Sequence, residues 1–397
     1  MLIPDLGYGG AHLSFAKIAT YLSKMHEVHC VVFNLDRKQS YLHPGKVHFL
    51  DPDSLANRST TAIGRFEGRL RKLKLLRETL KIEATLSFLE GADYVNYFAG
   101  GPGKRYAAIR GSKQFDLEIN GVRGMFRHWI MRRIYPRFDA VLAVSQGLAK
   151  ELRQFIGVPN SKIIVTPNFY DISVIKEQIR EPLAVNFRWI FEGRRCLVAI
   201  GRLHIQKNFR FLIRTFARVK QVREDVRLVL IGDGPEENDL VELSKILGLN
   251  VWTHKNTAST TNDEADICFL GYQENPLSLA SRCEILLFPS LYEGFPNALV
   301  EAMLCGLVII AADCPHGPRE ILGVDLNRTD VSQENLPFGV LLAIPNECSE
   351  KDQLAWCTSV IHLLNRNTRL MGEMARERAL VFTGIDGYLP WLKLFPN

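Results

Sequence analysis

The sequence predicts an α/β protein made of two doubly wound domains that face each other across a cleft. Its 397 residues are more than one ordinary hydrophobic core organises. Apolar strand-like runs alternate with helical patterns, and the alternation stops once and then resumes. Such alternation is typical of parallel sheets covered by helices on both faces. We expect an N-terminal domain at 1–180, a C-terminal domain at 181–384, and a final segment, 385–397, that packs back towards the first domain.

The composition is that of a globular protein, with 47% hydrophobic and 23% charged residues. No apolar run approaches the length that spans a bilayer, and the N-terminus lacks the pattern of a signal peptide. None of the 8 cysteines forms a Cys-x-x-Cys pair, which favours reduced, buried thiols over disulfides or a zinc site. These features predict a cytoplasmic protein.

The formal net charge of +6 is unevenly distributed. Residues 1–180 carry 27 lysines and arginines against 16 aspartates and glutamates, whereas residues 181–397 carry 22 against 27. The basic front half predicts an anionic partner for that domain.

Hydrophobic periodicity locates the elements of the front half. Helices are predicted at 10–24 and at 65–81, the second strongly basic. Strands are predicted at 27–34, 94–98, 114–119, 140–145 and 162–167. Ser145 is a residue type that caps helices, and a helical run follows it. The segment 168–193 lacks periodicity and is interpreted as the linker.

The second half alternates in the same way. Strands are predicted at 196–200, 227–231, 267–270, 285–288 and 308–311. Helices are predicted at 208–222 and 237–247, the latter closed by Gly248. Ligands of doubly wound sheets bind at the carboxyl ends of the strands, so the loops that follow these strands are the candidate site.

The loop after strand 196–200 begins at Gly201 and carries Arg202 and Lys207 just before a helix. Two positive charges at a helix N-terminus are suited to binding phosphate. An arginine and a lysine in a loop, taken alone, are more often simply exposed to solvent. Strand 267–270 ends at Gly271 and Tyr272, where free peptide groups could pair with a nucleobase edge.

The loop after strand 285–288 leads through Glu293 to a helix whose first turn should contain Pro296 and which should end at Gly306. Glu301 lies about one turn inside that helix. The helix dipole and the first amides would favour a diphosphate, and the residues concerned are Gly294, Phe295, Asn297 and Ala298. Taken singly, Glu293 could be a loop charge and Glu301 a helix-surface carboxylate.

Glu293-x7-Glu301, with Arg202 and Lys207 upstream, resembles the retaining family 4 glycosyltransferases of GT-B fold, which have two Rossmann-like domains. The resemblance covers nearly the whole chain. Glu-x7-Glu alone is a weak pattern, but all the segments together, in order and each at a strand end, are specific. The stretch 4–11 looks like the family's N-terminal glycine loop, in which Gly9 and Gly10 would approach the donor diphosphate. The stretch 314–322 resembles a variant common in bacterial members that transfer galactose or N-acetylhexosamine.

The resemblance implies a hexosyltransferase that moves a sugar, with retention, from a UDP-sugar to a glycan or lipid-linked acceptor in cell-surface polysaccharide or lipopolysaccharide synthesis. Arg202 and Lys207 would neutralise the leaving diphosphate, Glu293 would contact the donor sugar, and Glu301 would hold the ribose. No metal and no other cofactor is implied. Asp-Pro-Asp at 51–53 matches the Asp-x-Asp of metal-using transferases, but it lacks a supporting motif and is interpreted as chance.

Many relatives carry a histidine after a mid-domain strand, near the acceptor, and the comparable stretch 115–121 has none. Glu118 and Asn120 are candidates for that place, and Arg123 and His12 are further alternatives. A single polar residue of this kind is more often structural.

Two stretches, 65–81 and 123–137, combine basic with bulky apolar residues. One hypothesis is that they rest on an anionic membrane, which would place the protein on the inner face of the cytoplasmic membrane. The other is that the apolar side chains face the core and the basic ones are solvated. The sequence leaves both open.

Other protein classes fit less well. A Rossmann oxidoreductase would need Gly-x-Gly-x-x-Gly, and the glycines at 7, 9 and 10 have the wrong spacing. A nucleic-acid-binding protein would need a recognition motif or an aromatic platform, and neither is present. A GT-B epimerase or phosphorylase, or a non-catalytic nucleotide-binding relative, remains an alternative.

Overall fold

The structure is a computed structural model, and it describes residues 1–7, 9–34, 44–51, 61–115, 121–255, 264–326 and 332–395. Its contacts divide the chain into two compact units. The first comprises Met1–Asn168 and Tyr388–Asn397, and the second comprises Phe169–Gly387.

The first unit is built on parallel strands that are joined through Leu2. The strands are β1 (Cys30–Val32), β2 (Val47–Phe49), β3 (Ala84–Phe88), β4 (Lys104–Ile109), β5 (Ala140–Ala143) and β6 (Ile163–Val165). In this part of the structure, β3 to β6 are adjacent in sequence order and β1 pairs with β2. Leu2 forms parallel bridges to Val31 and to Ser87, so it occupies the place of a central strand between β1 and β3. The strand order therefore reverses at Leu2.

The helices of the first unit cover this sheet. They are α1 (Gly10–Leu22), α2 (Ala62–Thr79), α3 (Glu90–Phe98), α4 (Gly121–Ile134) and α5 (Gln146–Glu151). A buried cluster joins Leu2 and Val31 to Leu73 of α2 and Val95 of α3. Ser145 caps α5 as expected, since its side chain accepts a hydrogen bond from the Leu148 amide.

The second unit contains a larger sheet. Its strands are β7 (Arg195–Ile200), β8 (Val226–Ile231), β9 (Val251–Thr253), β10 (Ile267–Phe269), β11 (Ile285–Phe288), β12 (Val308–Ala312), β13 (Gln333–Leu336) and β14 (Gly339–Leu342). Across the described residues the order is β13-β14-β12-β11-β7-β8-β10-β9, and only the β13–β14 pair is antiparallel there. Since β8 lies on one side of β7 and β11 on the other, the order reverses between β7 and β11.

Helices flank this second sheet. They are α6 (Ile172–Arg180), α7 (Phe209–Val222), α8 (Glu237–Ile246), α9 (Pro276–Ala280), α10 (Asn297–Cys305), α11 (Pro318–Leu322), α12 (Glu350–Leu364), α13 (Thr368–Ala379) and α14 (Ile385–Leu394), whose last residues belong to the first unit. The core joins the strands to α7 and α12, for example where Phe211 meets Trp356 edge to face at 5.5 Å between ring centroids.

Two predictions from the sequence, the strand at 94–98 and the irregular linker at 168–193, were wrong. The predicted strand 94–98 lies in helix α3. The strand predicted at 114–119 is not seen at residues 114 and 115, and 116–119 lie outside the described residues, while β3 and β4 were missed. The segment 168–193 is not an irregular linker, because it contains α6, whose first turn is capped by Asp171.

The ends of the units differ from a simple cut at residue 180. Helix α6 packs against α9 and α10, so residues 169–180 lie in the second unit. The final segment contacts the first unit, where Tyr388 stacks on Tyr21 at 4.1 Å and Trp391 is fully buried. No helix in the described ranges has both the length and the hydrophobicity to cross a bilayer.

Candidate functional site

The residues of the second-unit site gather where the strand order reverses, between β7 and β11. In open α/β sheets this is where the loops from neighbouring strands leave in opposite directions and open a crevice for a ligand. The loop after β7 carries Arg202 and Lys207, and the loop after β11 carries Glu293. Sequence reasoning assigned these three residues to strand ends, and the topology makes the two strands neighbours.

Lys207 and Glu293 form an ion pair, with 2.6 Å between the Lys207 Nζ and the Glu293 Oε1. The Glu293 side chain is buried, and the Lys207 side chain is only 18% exposed. The Lys207 ammonium also lies 5.5 Å from the ring centroid of Phe288, at the end of β11. A positive and a negative group are thus held together at the switch point, where water screens them little.

Local backbone geometry fixes Lys207. A 3₁₀ turn, Ile205–Lys207, is started by His204, whose Nδ1 accepts a hydrogen bond from the Gln206 amide at 3.3 Å. Asn208 follows in the left-handed region with φ of 54° and leads into α7. Asn208 tolerates that conformation better than most residues do. The side chain of Asn208 donates to the Pro345 carbonyl, which anchors the turn.

Gln206 ties the two loops together, and sequence reasoning missed it. Its backbone carbonyl accepts from the Leu291 amide at 2.8 Å, and its side-chain amide donates to the Tyr292 carbonyl at 2.7 Å. These two bonds hold the segment just before Glu293 against the segment just before Lys207. A glutamine one residue before the lysine carries no signal of this role without the fold.

The loop after β12 supports Glu293 from the other side. The Glu293 amide donates to the Pro315 carbonyl at 3.0 Å. Burial, reinforced by the Glu293 carboxylate, raises the pKa of the Cys314 thiol, so that thiol stays protonated. Gly317 has φ of 94°, and a Cβ there would lie 2.4 Å from the Pro296 Cδ. Only glycine fits this contact between the loop and the start of α10.

Helix α10 starts one residue later than expected, because Pro296 is its N-cap and not part of its first turn. Within the described chain no side chain caps this helix, and its dipole points its positive end towards the loop. Gly294 and Phe295 are buried just before it, and Asn297 and Ala298 are half-buried in its first turn.

Two polar side chains on α10, Asn297 and Glu301, belong to the predicted donor site. The Asn297 Oδ1 accepts a hydrogen bond from the Tyr170 hydroxyl at 2.6 Å, which fixes the Asn297 side chain. Glu301 lies one turn further along, half-buried. The helix ends as predicted, with Gly306 in the left-handed region at φ of 84°.

A pocket of about 870 Å³ opens beside the loop that follows β7. It is lined by the loops after β7, β8, β9 and β10, and its lining includes Arg202, Asp233, Gly234, His254, Leu270 and Tyr272. Tyr272 is 38% exposed. The volume is ample for a nucleoside, since small-molecule sites of this kind span about 300–1,000 Å³.

Glycines let the loops meet at this pocket. The Gly232 amide donates to the Gly271 carbonyl at 2.9 Å, which joins the ends of β8 and β10. A Cβ on Gly232, at φ of 139°, would lie 2.0 Å from the Gly201 carbonyl oxygen. A Cβ on Gly234 would lie 2.3 Å from the Leu203 carbonyl oxygen. A side chain at either position would force these loops apart.

The first unit holds the other predicted residues. Gly9 and Gly10 are exposed at the start of α1, directly after the Leu2 switch point, and Gly9 has φ of 138°. The His12 Nε2 lies 3.1 Å from the Asp5 Oδ1, and Asp5 also accepts from the Gly7 amide at 2.8 Å. Asp5 therefore orders the glycine loop and orients His12.

The structure describes only some of the residues predicted to take the place of the missing histidine. Glu118 and Asn120 lie outside the described residues, and Arg123 lies in α4 with its side chain outside them. The residue that directly follows β4 is Arg110, which sequence reasoning missed because it placed the strand later. The Arg110 Nη1 donates to the Thr166 carbonyl at 2.9 Å.

Glu151 is a third residue that the sequence did not reveal, after Gln206 and Arg110. Its buried carboxylate accepts from the Ser112 hydroxyl at 2.6 Å, from the Lys113 amide at 2.6 Å and from the Gln114 amide at 3.2 Å. It thereby holds the loop that follows β4. The carboxylate belongs to α5, far away in sequence, so no local pattern could have connected the two.

The structure also describes two further features of the sequence, the Asp-x-Asp stretch and the cysteines. Asp51 of the Asp-x-Asp stretch accepts two hydrogen bonds from Arg69, each 2.7 Å long, and Asp53 lies outside the described residues. The cysteines are free thiols, and only Cys348 of them is exposed.

Two protein-family models match the chain. The family model described as Glycosyltransferase Family 4 matches residues 8–174, and the model described as Glycosyl transferases group 1 matches residues 194–336. The two matches together span most of both structural units.

Curated relatives carry transferase names. The chain is 27% identical, over 88% of its length and 87% of the relative's, to N-acetylgalactosamine-N,N'-diacetylbacillosaminyl-diphospho-undecaprenol 4-alpha-N-acetylgalactosaminyltransferase of Campylobacter jejuni. It is 26% identical to the lipopolysaccharide 1,6-galactosyltransferase of Salmonella typhimurium, over 48% of this chain and 47% of that protein.

Solved structures show the same fold. Anabaena HepE in complex with UDP and glucose superposes with a TM-score of 0.72 at 17% identity, covering 99% of this chain and 97% of that one. Sucrose-phosphate synthase from Thermosynechococcus elongatus gives a TM-score of 0.72 at 15% identity, with the same coverage. With both family models matched, the chain is a glycosyltransferase enzyme of GT-B fold and belongs to glycosyltransferase family 4.

Proposed function

We propose that the enzyme transfers galactose or an N-acetylhexosamine, with retention of the anomeric configuration, from a UDP-sugar to a lipid-linked glycan acceptor. The observation that carries the donor half is the Lys207–Glu293 pair, which lies between the ends of β7 and β11. The UDP donor is supported by the pocket at Tyr272 and by the UDP named for HepE.

The donor would bind in three parts along the second unit. The base would occupy the pocket beside Gly271 and Tyr272, the ribose would meet Glu301, and the diphosphate would lie at the start of α10. Arg202 lines the base pocket, and Lys207 is five positions further along the same loop, so one loop would serve the whole diphosphate. Backbone amides and cations together bind phosphate oxygens strongly.

The chemistry follows from this placement. The bond between the anomeric carbon and the diphosphate oxygen breaks, and its electron pair leaves with the diphosphate. Arg202 and Lys207 stabilise the negative charge that grows on that oxygen, which lowers the barrier because the charge is larger in the transition state. The acceptor hydroxyl adds to the same face, and its proton passes to the departing diphosphate. Glu293 positions Lys207 and accepts a hydrogen bond from a sugar hydroxyl.

The acceptor half rests on other observations. The relative in Campylobacter is named for a diphospho-undecaprenol acceptor and for N-acetylgalactosamine transfer. The basic front half of the chain suits an anionic acceptor of that kind. His12, the described candidate for the acceptor, lies near the first unit's switch point, which is where a ligand of that sheet would bind. Gly9 and Gly10, just before it, would approach the donor diphosphate.

The test uses a panel of donors and one acceptor. Thermal unfolding is measured with UDP-galactose, UDP-N-acetylgalactosamine, UDP-N-acetylglucosamine, UDP-glucose and GDP-mannose. The stabilising donor is then incubated with an undecaprenyl-diphosphate glycan, and free UDP and the anomeric configuration of the product are followed by proton NMR. We expect a UDP-sugar to stabilise the protein and the product to keep the donor's configuration.

The same experiment separates the rival activities. Conversion of the donor to its epimer without acceptor would identify an epimerase, and consumption that depends on added phosphate would identify a phosphorylase. Binding without turnover of any donor would identify a non-catalytic relative. Each of these results would overturn the proposal.

A further inference from the structure

Helix α4 exposes one continuous face that combines apolar and basic side chains. We name it the α4 surface, and it consists of Met125, Phe126, Trp129, Arg132 and Arg133. These positions are spaced i, i+1, i+4, i+7 and i+8, so they share one side of a helix. Met125 is 72% exposed, Phe126 62% and Trp129 53%.

The opposite side of α4 packs on the first unit. Met131 and Ile134 are fully buried, and His128 lies 4.3 Å from Phe155 between ring centroids. Arg127 forms an ion pair with Glu90 at 2.7 Å. The helix is therefore anchored by one face, and the exposure of the other face is not a result of loose packing.

The aromatic side chains of the α4 surface lie parallel to one another. Phe126 and Trp129 stack at 6.0 Å with an angle of 15° between their rings. The Arg133 guanidinium lies 5.2 Å from the Trp129 ring centroid, and Arg132 is exposed beside it. The helix sequence contains no aspartate or glutamate. A large apolar patch with positive charges at its end is thus presented outward.

We propose that the α4 surface binds an anionic lipid bilayer. Tryptophan and arginine are the residues that settle at the level of lipid headgroups, and an amphipathic helix with basic residues lies in that interface. Each basic side chain near an anionic leaflet adds to the attraction. A second copy of this chain is the less favourable occupant, because two such surfaces would bring four arginines together.

Helix α2, the other basic stretch, packs one of its faces on the core of the first unit. Leu73 is buried, and Leu70 and Leu76 pack against the same core. Arg77 is buried and donates to Thr85 at 3.0 Å. On this face of α2 the apolar side chains therefore face the core, which was the second of the two hypotheses from the sequence. The membrane hypothesis concerns α4.

Trp129 provides a built-in reporter. The chain has 5 tryptophans, and the other four, Trp189, Trp252, Trp356 and Trp391, are all buried. Tryptophan emission is recorded while the full-length protein is titrated with vesicles of phosphatidylcholine and phosphatidylglycerol, with and without bromine on the acyl chains, and with vesicles of phosphatidylcholine alone. We expect a blue shift and bromine quenching with the anionic vesicles, and loss of both signals in Trp129→Phe.

Two matched charge variants test the face. Arg132→Gln with Arg133→Gln should weaken partitioning about 30-fold. Arg71→Gln with Lys72→Gln removes the same charge from the exposed side of α2 and should weaken it less than about threefold. Flotation of vesicles measures the bound fraction, and circular dichroism confirms folding of both variants.

Several outcomes would overturn the proposal. One is unchanged Trp129 emission with anionic vesicles, and another is an equal loss of vesicle binding in the two charge variants. A third is a shift of Trp129 emission that depends on protein concentration without vesicles, which would identify a second copy as the occupant. None of these measurements uses a donor or an acceptor, so failure here leaves the proposed transfer reaction standing, and failure of transfer leaves the membrane result standing.

Discussion

At the scale of single residues, the proposed donor chemistry rests on Lys207 and Glu293. The 2.6 Å pair places an ammonium group, held by a buried carboxylate, at the switch point of the second sheet. A charge fixed in advance by the protein stabilises a developing charge without reorganisation, and in many enzymes this stabilisation accounts for most of the rate enhancement. Removal of the Glu293 carboxylate should therefore lower turnover without weakening the binding of UDP.

Glu293→Gln should separate these effects. The variant keeps the size and one hydrogen bond but releases Lys207 from its counter-charge, so UDP should bind equally well or more tightly. Turnover should fall about 100-fold, because the sugar and Lys207 lose their positioning group. Calorimetric titration with UDP and the rate of UDP release with acceptor measure the two quantities. Parallel losses in both would contradict the assigned role.

Asp93 makes stability depend on pH. Burial raises the pKa of Asp93 from the ordinary value of 3.8 to about 6. The hydrogen bonds from Ser87 and Tyr135 and the charge of Lys113 lower this pKa, but burial has the larger effect. Between these two values the folded protein keeps a proton that the unfolded chain has lost. This group's contribution to stability is therefore full below pH 3.8 and is lost as the pH rises through 6.

Asp93→Asn should remove that dependence. As the pH rises across this range, the free energy of unfolding of the unmodified protein should fall by about 3 kcal/mol more than that of the variant. Urea unfolding at a series of pH values measures the difference. Glu67→Gln, at an exposed position of α2, controls for the loss of a carboxylate. Identical pH profiles for Asp93→Asn and the unmodified protein would refute the assignment.

At the scale of elements, the strand ends of the second half were predictable. The buried strands β7, β8 and β11 are short apolar runs that end at glycine, proline or charged residues, which is a strong local signal. In the first half, aromatic residues around Tyr94 have strand propensity, yet Ala92 and Val95 pack into the core as one face of α3. Tertiary packing overrode local preference there.

Other elements were missed for different physical reasons. Strand β4 begins with a lysine and an arginine, and its apolar part is short, so it lacks a clear pattern. Helix α6 has Ile172, Ile175 and Ile179 on one face, but a proline on each side made the segment resemble a linker. The contacts made by Gln206 and Glu151 join distant segments, and no local sequence pattern contains them.

Gly232→Ala tests the glycine junction at the base pocket. A Cβ there would lie 2.0 Å from the Gly201 carbonyl oxygen, so the β7 and β8 loops must separate. We expect a loss of about 2 kcal/mol in stability and at least a tenfold weaker UDP affinity. Gly248→Ala is the matched control, since it has a positive φ of 75° but no neighbour within 4 Å of its Cβ. Equal UDP affinity in the two variants would contradict the role of the junction.

At the scale of the whole molecule, the two compact units and the family agree with the two-domain prediction from alternating strands and helices. The meeting of Lys207 with Glu293 was predictable, because the two residues follow strands of one sheet. A residue for the acceptor could not be predicted in this way, since the stretch 115–121 lacks the expected histidine. Arg110 follows β4, a strand that local patterns did not reveal.

We expect transfer to proceed without a metal ion, because in the proposed mechanism Arg202 and Lys207 would supply the positive charge that a divalent cation supplies in other transferases. Prolonged treatment with EDTA, followed by assay in metal-free buffer, should leave the rate of UDP release within about twofold of the untreated enzyme. Restoration of a lost rate by magnesium or manganese would contradict this expectation.

The proposed mechanism depends above all on Lys207, which stabilises the charge on the leaving diphosphate. The single-turnover rate of UDP release measures this role, with saturating donor and acceptor, for the unmodified enzyme, Lys207→Ala and Lys245→Ala. Lys245 is exposed on α8 and controls for the loss of one positive charge. We predict a fall of about 100-fold or more for Lys207→Ala and less than about twofold for Lys245→Ala. A Lys207→Ala enzyme that releases UDP at the unmodified rate would contradict the role of Lys207.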